Sequence, residues 1–285
     1  MMTNTAATIA VVGGGRMGIG IAQVFAAAGH YVVIAERDAP TASAALDSLR
    51  LGLRRAAERS ALDGDVETVA GRVRTVDDLA ALPADTDVLI EAVPEDARLK
   101  HDVLVAAEAV VTPGCLIATN TSSLSVSELA AALTHPDRFV GMHFFNPVPV
   151  STLVEIVVAT DTSDDTVTRT TGWVDGLGKK HIVVRDSPGF ATSRLGVLLG
   201  LEAIRMLEEG LADAADIDTA MELGYRHPMG PLRSTDLVGL DVRLAIAEHL
   251  SNTLGERFTP PALLREKVAR GELGRKSGRG VYDWP

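Results

Sequence analysis

The sequence predicts an α/β chain: a doubly wound sheet first, then an all-α C-terminal part. Three observations predict it. A glycine-rich motif lies between two short β-branched apolar runs near the N-terminus. Strand-like runs then alternate with helical patterns as far as His181-Ile-Val-Val184, the pattern of strands covered by helices. After Asp186-Ser-Pro-Gly189 no strand pattern returns, and apolar residues recur at helical spacing instead. This places one domain over residues 1–185 and a second, helical one over 186–285.

Composition narrows the function classes. The chain has 285 residues, enough for two moderate domains with real cores. A net charge of −11 argues against general nucleic-acid binding. A membrane-spanning helix needs roughly 20 consecutive apolar residues. No apolar run here is that long, so no membrane span is expected. Met1-Met-Thr-Asn-Thr5 has no basic segment, which argues against a signal peptide. The single cysteine, Cys115, precludes an internal disulfide and is expected as a buried, inert thiol in a reducing cytoplasm. No metal site is expected.

In chain order, Thr8-Ile-Ala-Val-Val12 is the first strand. Gly13-Gly-Gly15-Arg16-Met17-Gly18 follows and satisfies G-x-G-x-x-G. Ile19 to Ala28 is helical and stopped by Gly29; Tyr31-Val-Val-Ile34 is the second strand; Glu36 lies just beyond its end. This order is that of a Rossmann-type unit. Gly13 permits the tight turn, Gly15 lets a pyrophosphate approach the backbone, and Gly18 lets helix and strand pack closely. The helix N-terminus offers N–H groups and a positive dipole end to the phosphates. Glu36 would accept hydrogen bonds from the adenosine ribose and repel a 2′-phosphate, which favours NAD over NADP. Arg37 is the opposing signal, since an arginine there can contact a 2′-phosphate or stack near the adenine.

Residues 41–60 form an Ala/Leu/Arg-rich helix carrying Arg50, Arg54, Arg55 and Arg59. Their spacing puts most of them on one side, either as a solvated face or as a clamp for an anionic substrate. Residues 61–71 combine turns with a short helix, and 72–75 form a strand. Asp87 to Val93 is a strand broken by Pro94-Glu95, and Leu99 to Val111 is helical. Ligands of such sheets gather at the C-terminal strand ends, so Glu91, Glu95 and Lys100 are expected near the cofactor. Lys100 has the alternative of an exposed helix face. Cys115 to Ala118 is a strand ending in Thr119-Asn120-Thr121-Ser122-Ser123. These small polar residues suit ligand binding, with Asn120 at the cofactor, or else cap a helix from Ser125 to Leu133. Val154 to Val158 is a strand, Thr162 to Gly178 a helix and His181 to Val184 the last strand. Helices follow over 194–209, 213–223, 235–250 and 261–270. Leu195-Gly-Val-Leu-Leu-Gly-Leu201 is apolar almost all round, which implies burial, in part against another subunit.

One histidine stands out. His143 lies in Gly141-Met-His-Phe-Phe-Asn-Pro147, and Glu155 follows it in the next apolar run, read as a strand. A carboxylate there is costly unless paired. Beside a dinucleotide, such a pair suits alcohol oxidation: the histidine takes the hydroxyl proton and the glutamate fixes its tautomer. His181 has no evident acidic partner, and His227 is read as holding the turn at Pro228-Met-Gly-Pro231.

With these motifs in place the chain resembles the 3-hydroxyacyl-CoA dehydrogenase family, and within it the short 3-hydroxybutyryl-CoA dehydrogenases. The resemblance rests on Gly13 to Gln23, Ile90-Glu-Ala-Val-Pro-Glu95, Asn120-Thr-Ser-Ser-Leu124, Gly141 to Pro147, Ser187-Pro-Gly-Phe190, His227 to Pro231, and Leu273 to Gly280 before Tyr282. It implies that His143 is catalytic, that Glu155 is its partner, and that Ser122 hydrogen-bonds the substrate oxygen. It implies cofactor contacts from the Gly13–Gly18 loop, Glu36, Glu95, Lys100, Asn146 and Lys276. Ser48 and Arg55 fall near where the family binds coenzyme A, and the C-terminal helices imply a homodimer. One departure is Ser193, which stands where the family usually has an asparagine that contacts the substrate. The expected reaction is NAD-dependent oxidation of a short-chain L-3-hydroxyacyl-CoA to the 3-oxoacyl-CoA, in fatty acid or butanoate metabolism. Its rivals are a dehydrogenase of free hydroxy acids, of sugar-acid or carnitine type, and a catalytically silent dinucleotide-binding protein.

Overall fold

A computed structural model describes residues 6–60, 62 and 64–285. They form two compact units, the first ending at Asp186 and the second running from Ser187 to Pro285.

The first unit is built on one sheet of eight strands: β1 (Thr8–Val12), β2 (Tyr31–Ala35), β3 (Val73–Val76), β4 (Val88–Glu91), β5 (Leu116–Thr119), β6 (Phe139–Phe144), β7 (Leu153–Val158) and β8 (Lys180–Arg185). Their spatial order is β3-β2-β1-β4-β5-β6-β7-β8. Neighbours pair in parallel except β6 and β7, which are antiparallel. Six helices pack around it: α1 (Arg16–Ala27), α2 (Ala39–Glu58), α3 (Val66–Ala70), α4 (Ala97–Glu108), α5 (Val126–Ala130) and α6 (Asp164–Gly176). The central strands β4, β5 and β6 are buried at every residue, which is why they read as unbroken apolar runs. The edge strand β8 is largely solvent-facing and carries Lys180 and Arg185, charges that discourage edge pairing. Order reverses at β1, whose neighbours are β2 and β4, so a crevice opens beyond their C-terminal ends.

Helix ends follow their capping residues. Asp38, Asp65, Asp96, Ser125 and Ser163 each accept a backbone N–H from the first turn of the following helix. Helix α1 begins at Arg16, ahead of the expected Ile19, because Gly15 serves as its N-cap. The loop after β6 is clamped from two sides. Lys179 Nζ donates to the carbonyls of Val148 at 2.7 Å and Ser151 at 2.5 Å. Val148 in turn sits so close to Gly20 of α1 that a Cβ there would lie 2.8 Å from it. His181 does have an acidic partner, contrary to expectation: its Nδ1 lies 2.8 Å from Asp175 Oδ1 at the end of α6.

The second unit is helical: α7 (Thr192–Glu208), α8 (Ala214–Gly224), α9 (Pro231–Val238), α10 (Leu240–Leu254) and α11 (Ala262–Ala269). Val197, Leu201, Ile204, Leu232, Leu240 and Leu250 are among its core residues. The single helix expected over 235–250 is two helices. Gly239, at φ +107°, breaks it, a conformation that a residue with a Cβ adopts only with strain. Two buried carboxylates fasten the C-terminal segment. Asp236 accepts from Val281 N, Tyr282 N and Trp284 Nε1 at 2.8–2.9 Å, and Asp218 accepts from the Tyr282 hydroxyl at 2.7 Å. The stretch 195–201 is only half buried. Val197, Gly200 and Leu201 face the core, whereas Leu195 is 61% and Leu199 42% exposed.

Cys115 is fully buried, and burial pushes its thiol up to about 12, so it is an inert core residue. Gly18 packs too closely for a side chain: a Cβ there would lie 1.8 Å from the Gly13 carbonyl oxygen. Gly18→Ala should therefore force the motif off α1 and lower stability by roughly 1–3 kcal/mol. A urea titration checks this, and an unchanged midpoint would contradict it.

Candidate active site

The first cavity follows the glycine motif. Gly13, at φ +101°, turns the chain so tightly that a Cβ would meet the Ala92 backbone at 2.9 Å. Gly15 is the opposite case: a Cβ there would have nothing within 4 Å, so the backbone lies open to an approaching ligand. No side chain caps α1, which leaves its first N–H groups and positive dipole end to an anion. A cavity of about 690 Å³ lies alongside, lined by Gly13, Gly15, Arg16, Met17, Glu36 and Arg37. Glu36 accepts the Gly14 N–H at 2.6 Å through one oxygen and the Arg37 N–H at 3.3 Å through the other. The Arg37 guanidinium is held by Asp38, with Nε 3.2 Å from Oδ2. Asp38 is itself fixed as the α2 cap, accepting Thr41 N at 2.8 Å. An open helix N-terminus, a close glycine backbone and a carboxylate at the second strand end fit a dinucleotide with an unphosphorylated ribose.

A second cavity, of about 350 Å³, lies at the C-terminal ends of β4, β5 and β6; Met17, Glu95, Asn120, Ser122, His143 and Asn146 are among its lining residues. His143 and Glu155 are register partners across β6 and β7. Directly opposed residues of an antiparallel pair share one face of the sheet, so their side chains meet. His143 Nδ1 lies 2.8 Å from Glu155 Oε2, and Glu155 is 0% exposed. A carboxylate can only accept, so Nδ1 carries the hydrogen and Nε2 is the basic nitrogen of the neutral ring. The Phe145 ring lies against the imidazole, with centroids 4.4 Å apart. Asn120 Oδ1 accepts the Phe144 N–H at 2.9 Å and ties the end of β5 to β6.

Glu95 organises the loop after β5. Its Oε1 accepts from Thr121 Oγ1, Ser122 N, Ser123 N, Ser123 Oγ and Ser122 Oγ, at 2.7 to 3.2 Å. Burial alone would raise the Glu95 carboxyl. The Lys100 ammonium and these donors more than reverse that and hold it below the ordinary value. Lys100 is not on an exposed helix face. It is 1% exposed and ion-paired with Glu91 at 2.7 Å. Thr119 and Thr121, which the sequence marks only as members of a small polar run, both bond these carboxylates. Their one distinguishing signal is a position at a strand end.

The remaining expected residues lie elsewhere. Ser48 and Arg55 are exposed on α2, two helical turns apart and so on one stripe of the helix. Ser193 and Lys276 belong to the second unit. Ser193 is half-buried in the first turn of α7, and Lys276 Nζ lies 2.6 Å from Asp241 Oδ2. Among the described residues, no three His, Cys, Asp or Glu side chains are grouped so as to hold a metal ion.

Residues 8–187 match the 3-hydroxyacyl-CoA dehydrogenase NAD binding domain, and 189–284 match the 3-hydroxyacyl-CoA dehydrogenase C-terminal domain. A 3-hydroxybutyryl-CoA dehydrogenase of Mycobacterium tuberculosis is 40% identical over 99% of this chain and 100% of that protein. A 3-hydroxyadipyl-CoA dehydrogenase of Escherichia coli is 38% identical over 100% of this chain and 60% of that protein. The crystal structure of (S)-3-hydroxybutyryl-CoA dehydrogenase from Ralstonia eutropha superposes with a TM-score of 0.93 at 39% identity, covering 99% of this chain and 100% of that one.

The Glu36–Arg37–Asp38 arrangement makes cofactor choice testable. Replacing Glu36 by Ser and Asp38 by Asn together removes the repelling carboxylate and releases Arg37. NADPH should then be used at least ~10-fold more effectively relative to NADH, about 1.4 kcal/mol. Steady-state comparison of the two nucleotides checks this, and an unmoved ratio would mean that selection lies elsewhere.

Proposed function

The chain belongs to the 3-hydroxyacyl-CoA dehydrogenase family, and from that we propose that it oxidises a short-chain L-3-hydroxyacyl-CoA to the 3-oxoacyl-CoA, reversibly, with NAD. The observation that carries the proposal is the buried His143–Glu155 hydrogen bond of 2.8 Å beside the second cavity. The bound dinucleotide supplies the acceptor for the C3 hydride. The chain's own residues handle the proton. His143 Nε2 takes it from the substrate hydroxyl, and Glu155 holds the tautomer and stabilises the imidazolium that results. In the reverse direction the imidazolium returns the same proton to the 3-oxo oxygen. Ser122 donates its hydroxyl to that oxygen and keeps it in line with the imidazole.

Binding is assigned on the same reading. The Gly13–Gly18 loop with Arg16, Met17 and Glu36 holds the nucleotide, with Glu95, Asn120 and Asn146 closing the nicotinamide end. Lys276, whose ammonium Asp241 orients, is assigned to the cofactor as well. The α2 stripe of Ser48 and Arg55 suits a phosphate of coenzyme A. Ser193 contacts the substrate with a single hydroxyl where an amide would offer more. Residues 1–185 serve as the NAD-binding domain and residues 186–285 as the substrate and dimerisation domain. Exposed Leu195 and Leu199 on α7 support a second copy as the partner. No helix among the described residues is long and apolar enough to cross a membrane, and we place the enzyme in the cytoplasm.

His143→Ala should lower turnover of acetoacetyl-CoA by roughly 10²–10⁴-fold while NADH affinity stays nearly intact. Unchanged turnover would remove His143 from the reaction. Free acetoacetate, assayed beside acetoacetyl-CoA, should be a far poorer substrate, and equal rates would point to a free hydroxy acid instead.

A further inference from the structure

We propose that Glu91 and Lys100 form a buried strut that positions Glu95, and through Glu95 the substrate-binding hydroxyl of Ser122. The inference rests on the reading of Ser122 given above. Glu91 is the last residue of β4 and is 0% exposed. Its Oε1 accepts from Lys100 Nζ and from Val93 N, each at 2.7 Å. Its Oε2 accepts from Lys100 Nζ at 3.0 Å and from Thr119 Oγ1 at 2.6 Å. The carboxylate is thus locked in place by β4, β5 and α4 together.

Lys100 ties Glu91 to Glu95. Besides Glu91, its Nζ donates to the Val93 carbonyl at 3.2 Å and stands in ion-pair range of Glu95 Oε2, at 3.4 Å. Lys100, expected as a cofactor contact, is among the residues lining the second cavity, and its charge also reaches the site through Glu95.

Glu95 is where the strut meets the site. One oxygen, Oε1, gathers five donors, more than its lone pairs can serve well. The longest contact is the Ser122 hydroxyl at 3.2 Å, and the Ser122 N–H is held at 2.8 Å. The weak contact is the one that can be exchanged. Ser122 can turn its O–H to a substrate oxygen while its backbone stays fastened to Glu95. If the Glu91–Lys100 pair is neutralised, Glu95 loses the cation that orients Oε2, and the Ser122–Ser123 loop loses its fixed acceptor.

A purely structural ion pair would behave differently. Replacing a buried pair by neutral groups of similar shape often leaves stability unchanged or raised, so stability and positioning can be separated. The test is a cycle of three enzymes, Glu91→Gln/Lys100→Met, Ser122→Ala and the combination, each assayed for thermal midpoint, NADH affinity, kcat and KM. The strut variant should keep its midpoint and, at saturating NADH, lose kcat on the order of 10–100-fold. Ser122→Ala should lose a similar factor, and the combination little more than either alone. Wild-type kcat in the strut variant would overturn the proposal, and so would losses that multiply in the combination. Full activity in Ser122→Ala alone would instead sink the role of Ser122 itself. If the strut variant does not fold, Thr119→Val, which removes one bond to Glu91, enters the same cycle. Its loss should be smaller and equally non-additive with Ser122→Ala, and a multiplicative loss would again refute the strut.

Discussion

The reversal of β7 against β6 is the constraint on which this site depends. From β3 through β6, strands run parallel and their C-terminal ends collect at one edge. That arrangement brings Gly13, Glu91, Asn120 and Phe144 to the same edge, and His143 takes its carboxylate from the strand on its other side, β7. Opposed residues of that antiparallel pair share a face at close range. The register His143↔Glu155 is what makes the pair, and a slip of one residue would turn Glu155 to the other face. The surrounding apolar run holds that register. Val154, Ile156 and Val157 are buried and would all be misplaced by a slip. The burial that makes Glu155 costly is also what keeps it in position.

Reversing a strand requires a loop, and that loop is tied to the nucleotide side of the molecule. Val148 rests on Gly20 of α1, and Lys179 holds the carbonyls of Val148 and Ser151. The helix whose N-terminus faces the first cavity therefore also packs on the segment that follows His143. Glu91 performs a similar linkage at the other side of the site. It closes β4 next to β1 and fastens Lys100, which is ion-paired with Glu95, the acceptor for the loop after β5. Local elements built for packing thus fix the relative positions of the groove and the imidazole.

Much of this was legible in the sequence, and the reasons differ by residue. The glycine motif is local, since its turn, helix and following acid lie within one βαβ unit, so residues 8–36 could be read directly. His143 and Glu155 were legible because a lone carboxylate in an apolar strand requires a partner. Lys100 was ambiguous because a helix-face lysine looks the same whether its helix side meets solvent or Glu91; only the packing of α4 beside β4 decides. The break at Gly239 was hidden by apolar periodicity continuing through it. His181 looked unpartnered because Asp175 reaches it from the preceding helix, which no strand pattern reveals. Arg16 opens α1 because a glycine caps it, and a capping glycine looks like the rest of a glycine-rich loop.

The balance of charge around the second cavity bears on which substrate suits it. Three carboxyl groups, Glu91, Glu95 and Glu155, lie at or beside the second cavity against one lysine, Lys100. A site with that balance stabilises a cation formed within it, and proton transfer to His143 creates one. It also disfavours an anion near the reacting carbon. A free 3-hydroxy acid brings a carboxylate two bonds from that carbon, whereas a thioester is neutral at the same place. The negative charge of an acyl-CoA lies far along the coenzyme, at its phosphates, and on the proposed reading those meet the basic surface of α2. On that reading the acidic cavity and the basic helix favour the same substrate for opposite reasons.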